Sequence, residues 1–427
     1  MERLIFHVDV NSAFLSWEAA KRVKYGEPDL RLVPSCIGGD PKSRRGIVLA
    51  KSIPAKQYGV KTGEPLSMAL RKCPSLIVAP PDFKLYSDNS RAFKSICRSY
   101  TSLTEEFSID ECFLDFSGTS HLYPDPVALA TEIKDRIRDE LGFTVNVGIG
   151  RNKLCAKMAS DFEKPDKVHT LFPEEIPEKM WPLPVGDLLY VGKASVAKLS
   201  EAKIRTIGDL AKADLNLLSA LLGEKTAKLA NAYANGIDSS PVREAPEEAK
   251  GYSNSITTEE NISTIEQANM ILLSLCDSVT EHMRSENTRA GGVSVGIRYL
   301  DFKNRSHQMK LESPTDSASI VYETAKKLLA DLWKDRLPLR LMSVALTNVS
   351  KGQAVRQLSL FDEPEKQTNL EKQERLDKAV SAIRGKFGFD AIQRGALINS
   401  DYGVGRKFKG KKESERSSDA EKTKKER

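Results

Sequence analysis

The stretch Ser108-Ile109-Asp110-Glu111-Cys112-Phe113-Leu114-Asp115 places two adjacent carboxylates at the head of an apolar run. Residues 108–116 read as a strand. A third acid is set in the same way near the start of the chain, where Asp9 lies inside Leu4-Ile5-Phe6-His7-Val8-Asp9-Val10. An ionised carboxylate in an apolar strand is costly unless it is paired or binds a metal. Three hard oxygen donors at strand ends suit Mg²⁺, which keeps its other positions for water and substrate phosphates. Two such ions about 3.5–4 Å apart suit phosphoryl transfer. Taken singly, each acid reads more simply as a strand-end residue that faces water or pairs with a lysine. Neighbours on a regular strand also face opposite sides, so Asp110 and Glu111 converge only at a turn, a bulge or a sheet edge.

Outward from these acids the chain alternates strand and helix patterns. After the 4–10 strand, Asn11 or Ser12 offers a cap for a helix through Phe14, Trp17 and Ala20. Extended stretches at 32–37 and 47–50 flank a loop and a basic run. Residues 85–103 read as helix, 127–141 as an amphipathic helix and 144–149 as a buried strand. The mixture is α/β with some antiparallel pairing. From 183 to 240 strand signals vanish, and short helical patterns alternate with Gly192, Gly208, Gly223 and Gly236. Residues 241–250, with two prolines and three glutamates, read as a linker. A third unit repeats helix, strand, helix, strand (265–283, 293–299, 318–333, 342–347), which predicts helices on one face of a sheet. Beyond 350 come a linker-like region, an amphipathic stretch at 370–387 and a polar tail.

The 427 residues allow two to four domains at roughly 100–200 residues each. With 40% hydrophobic and 29% charged residues the composition excludes wholesale disorder. No apolar run approaches the roughly 18 residues of a membrane span, and the N-terminus carries no secretory pattern. The six cysteines form no C-x-x-C pair, which argues against zinc or a disulfide framework and for the reducing cytoplasm. The net charge is +6, but residues 406–427 hold ten Lys/Arg against five Asp/Glu. Overall charge is thus no proof of nucleic-acid binding.

The residues 9–14, the Ser-Ile-Asp-Glu-x-Phe-Leu-Asp block, and Gly148-Ile149-Gly150-Arg151-Asn152-Lys153 with its downstream Lys164-Pro165 together resemble the Y-family of translesion DNA polymerases, with the DinB branch nearest. The resemblance runs from Leu4 to about Val349. It implies a multi-domain right-hand polymerase: palm at 1–17 and 76–166, small fingers at 18–75, a helical thumb at 167–240, a linker at 241–250, an α+β little finger at 251–350 and a C-terminal tail from 351 to 427. It further implies that Asp9, Asp110 and Glu111, with the backbone carbonyl of Val10, hold two Mg²⁺ ions for the attack of a primer 3′-hydroxyl on the α-phosphate of a dNTP.

By the same resemblance Phe14 is a steric gate beside the sugar, and Lys164 and Lys56 bind the triphosphate. The fingers block Ala50-Lys51-Ser52-Ile53-Pro54-Ala55-Lys56 departs from DinB and looks like the UmuC branch. Ile53 stands where a tyrosine is usual, Lys56 where an arginine is, and Lys51 is a possible substitute. Asn152 and Lys153 belong to a block that opens a helix, and Lys157 lies one turn on; they face either DNA or the active site, or simply start the helix. Gly192 and Lys193 resemble a helix-hairpin-helix phosphate contact, imperfect because Ala194 replaces the second glycine. Arg298, Lys303, Arg305 and Lys310 are candidate DNA contacts of the little finger. Gln357-Leu358-Ser359-Leu360-Phe361 resembles the pentapeptide that binds the bacterial sliding clamp. The implied partners are primer-template DNA, dNTPs and that clamp, with no membrane, for a monomeric protein. Two other readings are a non-catalytic DNA- and clamp-binding accessory protein and a nucleotidyl transferase acting on free nucleotides. The intact acid set argues against the first; the hairpin-like and clamp-like segments have no role in the second.

Overall fold

In the computed structural model the described residues are 2–40, 46–245, 247–351 and 364–397, and the chain divides into two compact units, Met1–Glu247 and Glu248–Arg427. In the first, β1 (Ile5–Val10) leads into α1 (Ala13–Lys24). Next come β2 (Ser35–Gly38), β3 (Val48–Lys51), α2 (Ile53–Gln57), α3 (Leu66–Lys72) and β4 (Ile77–Ala79), whose strands form a small sheet in the order β3-β2-β4. The chain continues through α4 (Phe83–Arg98), β5 (Thr104–Glu106), β6 (Glu111–Asp115), α5 (Pro126–Leu141), β7 (Val145–Gly150), α6 (Lys153–Ser160) and β8 (Val168–Leu171). Four short helices complete the unit: α7 (Lys193–Glu201), α8 (Ile207–Lys212), α9 (Leu215–Leu222) and α10 (Glu224–Ala234).

The main sheet has the order β5-β6-β1-β7-β8, with β1 antiparallel to both neighbours. Every residue of β1 is buried, because both faces of the sheet are covered. The strand period of two sorts its side chains. Phe6, Val8 and Val10 join the large core that also takes Leu15, Phe93, Ile133, Val147 and Ile149. Ile5 packs on the other face with Phe113 and Ala156 of α6, and His7 and Asp9 follow it there. On that face β7 presents Asn146, Gly148 and Gly150. A Cβ on Gly148 would lie 1.9 Å from the Ala156 carbonyl oxygen, and one on Gly150 would lie 2.7 Å from the Cys155 Cβ. The two glycines let α6 rest directly on the strand backbone.

Two local expectations are corrected. Ser12 does precede α1, but it is left-handed (φ 49°) and its side chain caps nothing. Asn11 does not cap either: its amide donates to Asn146 Oδ1 (3.1 Å), and its Oδ1 accepts from Thr144 (3.0 Å) and from the Asp166 N–H (3.0 Å). The strand expected to begin at Ser108 begins at Glu111, because the Phe107 and Ser108 N–H groups fold back onto the Glu111 carbonyl and close a turn.

The second unit contains β9 (Gly251–Ile262), α11 (Ile265–Ser285), β10 (Thr288–Tyr299), β11 (Asn304–Thr315), α12 (Ala318–Leu332), β12 (Leu339–Lys351) and α13 (Pro364–Phe387). Its antiparallel sheet has the order β11-β10-β12-β9, and its core joins Val293, Val295, Met342 and Val344 to Leu272, Leu275 and Leu328 of the helices. Strands β9 and β11 are additions to the four elements expected. The stretch expected as tail also carries structure: Arg384 of α13 pairs with Asp277 of α11 at 2.7 Å, both side chains almost wholly buried. Ser381 accepts from Arg284 and donates to Glu281, and Asp377 accepts from the Ala318 N–H. Residues 357–361 lie outside the described residues.

Candidate active site

The turn before β6 answers the question of how adjacent acids share a site. Asp9 and Glu111 are direct partners across β1 and β6, so both side chains stand on the α6 face. Asp110 sits in the turn itself, and its carbonyl accepts from the Val10 N–H at 3.0 Å. Its side chain accepts from Ser108 Oγ at 2.6 Å. The backbone therefore gathers Asp9, Val10, Asp110 and Glu111 where two strands meet. Among the described residues no three acids stand close enough to cage a metal ion by themselves.

Each strand acid has a lysine. Lys164 donates to Asp9 Oδ2 at 2.6 Å and also pairs with Asp161 at 2.7 Å. Asp9 is 9% exposed, and burial lifts its carboxyl to about 6 even though Lys164 pulls the other way. Burial weakens the charge on Lys164, but Asp9 and Asp161 outweigh it and hold the ammonium above its usual range. Glu111 behaves oppositely. Burial would raise it, yet hydrogen bonds from His7 (3.0 Å) and Lys157 (2.6 Å), both to Oε2, hold it down at about 2. His7 is fully buried, and that burial keeps its imidazole below the ordinary histidine range.

The loop that carries Lys164 is fixed by a residue sequence reading passed over. Asn146 lies opposite Asp9 on β7 and is wholly buried. Its amide donates to the Ser160 and Glu163 carbonyls (3.0 and 2.7 Å), and its oxygen accepts from Asn11 and from the Lys167 N–H. The two residues of the helix-opening block and Lys157, one turn on, divide. Asn152 caps α6 through the Cys155 N–H (2.8 Å), and Lys153 is held by both oxygens of Glu105 (2.6 and 2.8 Å). Lys157 alone reaches the acids. His7 was detectable only as the residue two before Asp9, hence on its face.

Phe14, in the first turn of α1, is half-buried and stacks on the buried Tyr86 ring (centroids 4.6 Å apart, planes 16° apart). Lys51 ends β3, donates to Thr62 (3.2 Å), and is held below the usual lysine range by burial and by the nearby Lys56 charge. Lys56 is exposed on α2, which Ser52 caps through the Ala55 N–H at 3.1 Å. Gly192 is the residue before α7 and Lys193 opens it, exposed; no side chain caps this helix end. In the second unit Arg298 donates to Asn304 (2.7 Å), while Lys303 and Arg305 are exposed and paired locally with Asp301 (2.9 Å) and Asp335 (3.0 Å). Lys310 is exposed on the edge strand β11.

The main sheet thus sets an antiparallel strand pair, with acids at its head, against a helix bedded on two glycines. The model of the impB/mucB/samB family matches residues 8–161, and that of the family's C-terminal domain matches residues 249–360. The chain is 45% identical over 402 residues to a DNA polymerase IV of Clostridium acetobutylicum, covering 94% of this chain and all of that one. It is 36% identical over 401 residues to DNA polymerase IV 1 of Bacillus subtilis, covering 93% and 94%. A solved Y-family DNA polymerase chimera superposes with a TM-score of 0.71 at 22% identity, over 82% of this chain and 100% of that one. The chain belongs to the impB/mucB/samB family. Within it, it is a DinB-like Y-family enzyme, a DNA-directed DNA polymerase of the translesion type. No helix among the described residues is long and apolar enough to cross a membrane.

Proposed function

We propose that Asp9, Asp110 and Glu111, with the Val10 carbonyl, form the centre at which this polymerase joins a dNTP to a primer 3′ end, and that they do so with two Mg²⁺ ions. Enzymes of this family work with divalent metal ions. The donor set fits: hard oxygens only, one of them on a carboxyl that burial makes hard to ionise without a cation beside it. The observation that carries the reading is the register, which sets Asp9 across from Glu111 and ties Val10 to Asp110 by one backbone hydrogen bond. When bound, such ions lower the pKa of the attacking hydroxyl and balance charge on the phosphates.

The chain's own groups do the rest. Lys164 is the nearest cation to Asp9 and serves the triphosphate, with Lys51 and Lys56 on the fingers side. Phe14, its ring held flat by Tyr86, excludes a 2′-hydroxyl by contact. We assign residues 1–17 and 76–166 to the palm, 18–75 to the fingers, 167–240 to the thumb, 241–250 to the linker and 251–350 to the little finger. Gly192 and Lys193 of the thumb, and Arg298, Lys303 and Arg305 of the little finger, hold backbone phosphates of primer-template DNA. Such contacts position the duplex without reading its sequence. The 357–361 segment tethers the enzyme, as a cytoplasmic monomer, to the sliding clamp.

The test is primer extension by the full chain with dNTPs and Mg²⁺, set beside Asp110→Ala. Extension by the unmodified chain and its loss in the variant, with primer-template binding retained, is the expected result. Equal extension by both would remove Asp110 from the centre.

A further inference from the structure

We propose that His7 is a positioning residue for Glu111: it grips one carboxylate oxygen and so leaves the other as the oxygen available to a divalent cation. The inference rests on the reading of Glu111 as a cation ligand.

His7 is fixed on every side that the structure describes. Its ring packs on Phe113, its partner across β6, with centroids 4.6 Å apart. Across β7 its partner is Gly148, which has no side chain to compete for the space. Its Nδ1 lies 2.8 Å from Ser160 Oγ at the end of α6. Its Nε2 lies 3.0 Å from Glu111 Oε2. An ionised carboxylate only accepts, so Nε2 carries the proton and donates. Lys157 reaches the same Oε2 at 2.6 Å, and among the described residues Oε1 has no hydrogen-bond partner.

The two donors differ in kind. Lys157 brings a point charge on a flexible stem. His7 brings a buried, packed ring, so the direction of the carboxylate is set by the imidazole and its charge is balanced by the ammonium. A carboxylate already oriented loses less rotamer freedom when it takes up an ion. Residues that orient a metal ligand in this way typically change metal affinity by about 10–100-fold when removed.

The experiment uses Mn²⁺ as the probe, titrated by electron paramagnetic resonance into the full chain with primer-template, a dideoxy-terminated primer and the next dNTP, so that no turnover occurs. His7→Phe keeps the ring and removes the donor; we expect Mn²⁺ to bind about tenfold more weakly. His7→Gln restores a donor and should bring binding back to within about threefold. In the His7→Phe/Glu111→Gln double variant, binding should be no weaker than in Glu111→Gln alone, because His7 acts only through Glu111. Unchanged Mn²⁺ binding in a folded His7→Phe chain overturns the inference, as does a double variant whose losses add. A chain in which Gln rescues nothing overturns it too, because the ring is then needed for packing alone. If His7→Phe does not fold, Ser160→Ala takes its place: weaker binding supports the inference and unchanged binding overturns it. Glu111→Gln separates the two readings. Weakened binding there with none in His7→Phe sinks the positioning role alone. No weakening in Glu111→Gln removes the ligand reading and the inference together.

Discussion

Asp9 shows what a single buried acid imposes on a site. Its carboxyl titrates at about 6, against 3.8 for the free group, because burial penalises the charge more than Lys164 rewards it. The folded chain therefore binds the extra proton between those values, and without a cation its stability falls as pH rises through that window. Cation binding runs the other way. Below about 6 the ion must displace a proton, so the apparent Mn²⁺ affinity of the complex should fall by up to about tenfold per pH unit as pH drops. It should level off above pH 7. A titration of Mn²⁺ binding from pH 5 to 8 checks this, and a flat profile would show that Asp9 is not at the ion. At this scale the acids were legible because carboxylates inside apolar runs are conspicuous. His7 and Asn146 were not, because one buried histidine or asparagine in a strand reads as a satisfied core group, and its partners lie 153 and 14 positions away, at Ser160.

The elements were legible where their periodicity is strong. In Val145-Asn146-Val147-Gly148-Ile149-Gly150 the alternation already separates an apolar face from a polar and glycine face. What the pattern does not say is that a helix backbone lies against the glycines. That contact depends on α6, and its consequence is sharp. Gly148→Ala puts a methyl 1.9 Å from the Ala156 carbonyl, so helix or strand must move. The expected cost is about 3 kcal/mol or more, at the upper end of overpacking. Gly118→Ala meets no atom within 4 Å and should change stability by less than about 0.5 kcal/mol. Urea unfolding of the two variants side by side tests the contrast. Strands β9 and β11 escaped sequence reading for the opposite reason. Both are edge strands. Residues 304–310 of β11 are all exposed, so no buried face writes a period of two there, while in β9 the polar Asn254 and Thr258 share the inward face with Tyr252 and Ile256 and dilute the hydrophobic alternation. The strand expected from Ser108 starts three residues too early, because hydrogen bonds that fold a turn back on Glu111 leave no trace in hydrophobicity.

At the scale of the molecule, the order of motifs is the readable part, and it suffices to point to the family. The end of the second unit was not readable. The 370–387 stretch shows weak amphipathicity, and its attachment runs through charges: Arg384 with Asp277 and Glu281, and Arg394 with Asp277 at 3.3 Å. Burying such a pair contributes little net stability, but removing one member leaves a charge without its partner. Arg384→Ala should therefore cost about 3 kcal/mol in the second unit, whereas Arg384→Met combined with Asp277→Leu should cost less than the single change. Chemical denaturation of both variants decides it; equal losses would mean that the pair acts through packing alone. The same attachment bears on the integrity of the chain. Lys351 ends β12 and Pro364 starts α13, so the connecting peptide joins two parts of one folded unit. A protease that cut it once would divide the sequence without dividing the body: the two fragments would run separately in denaturant and together in native buffer.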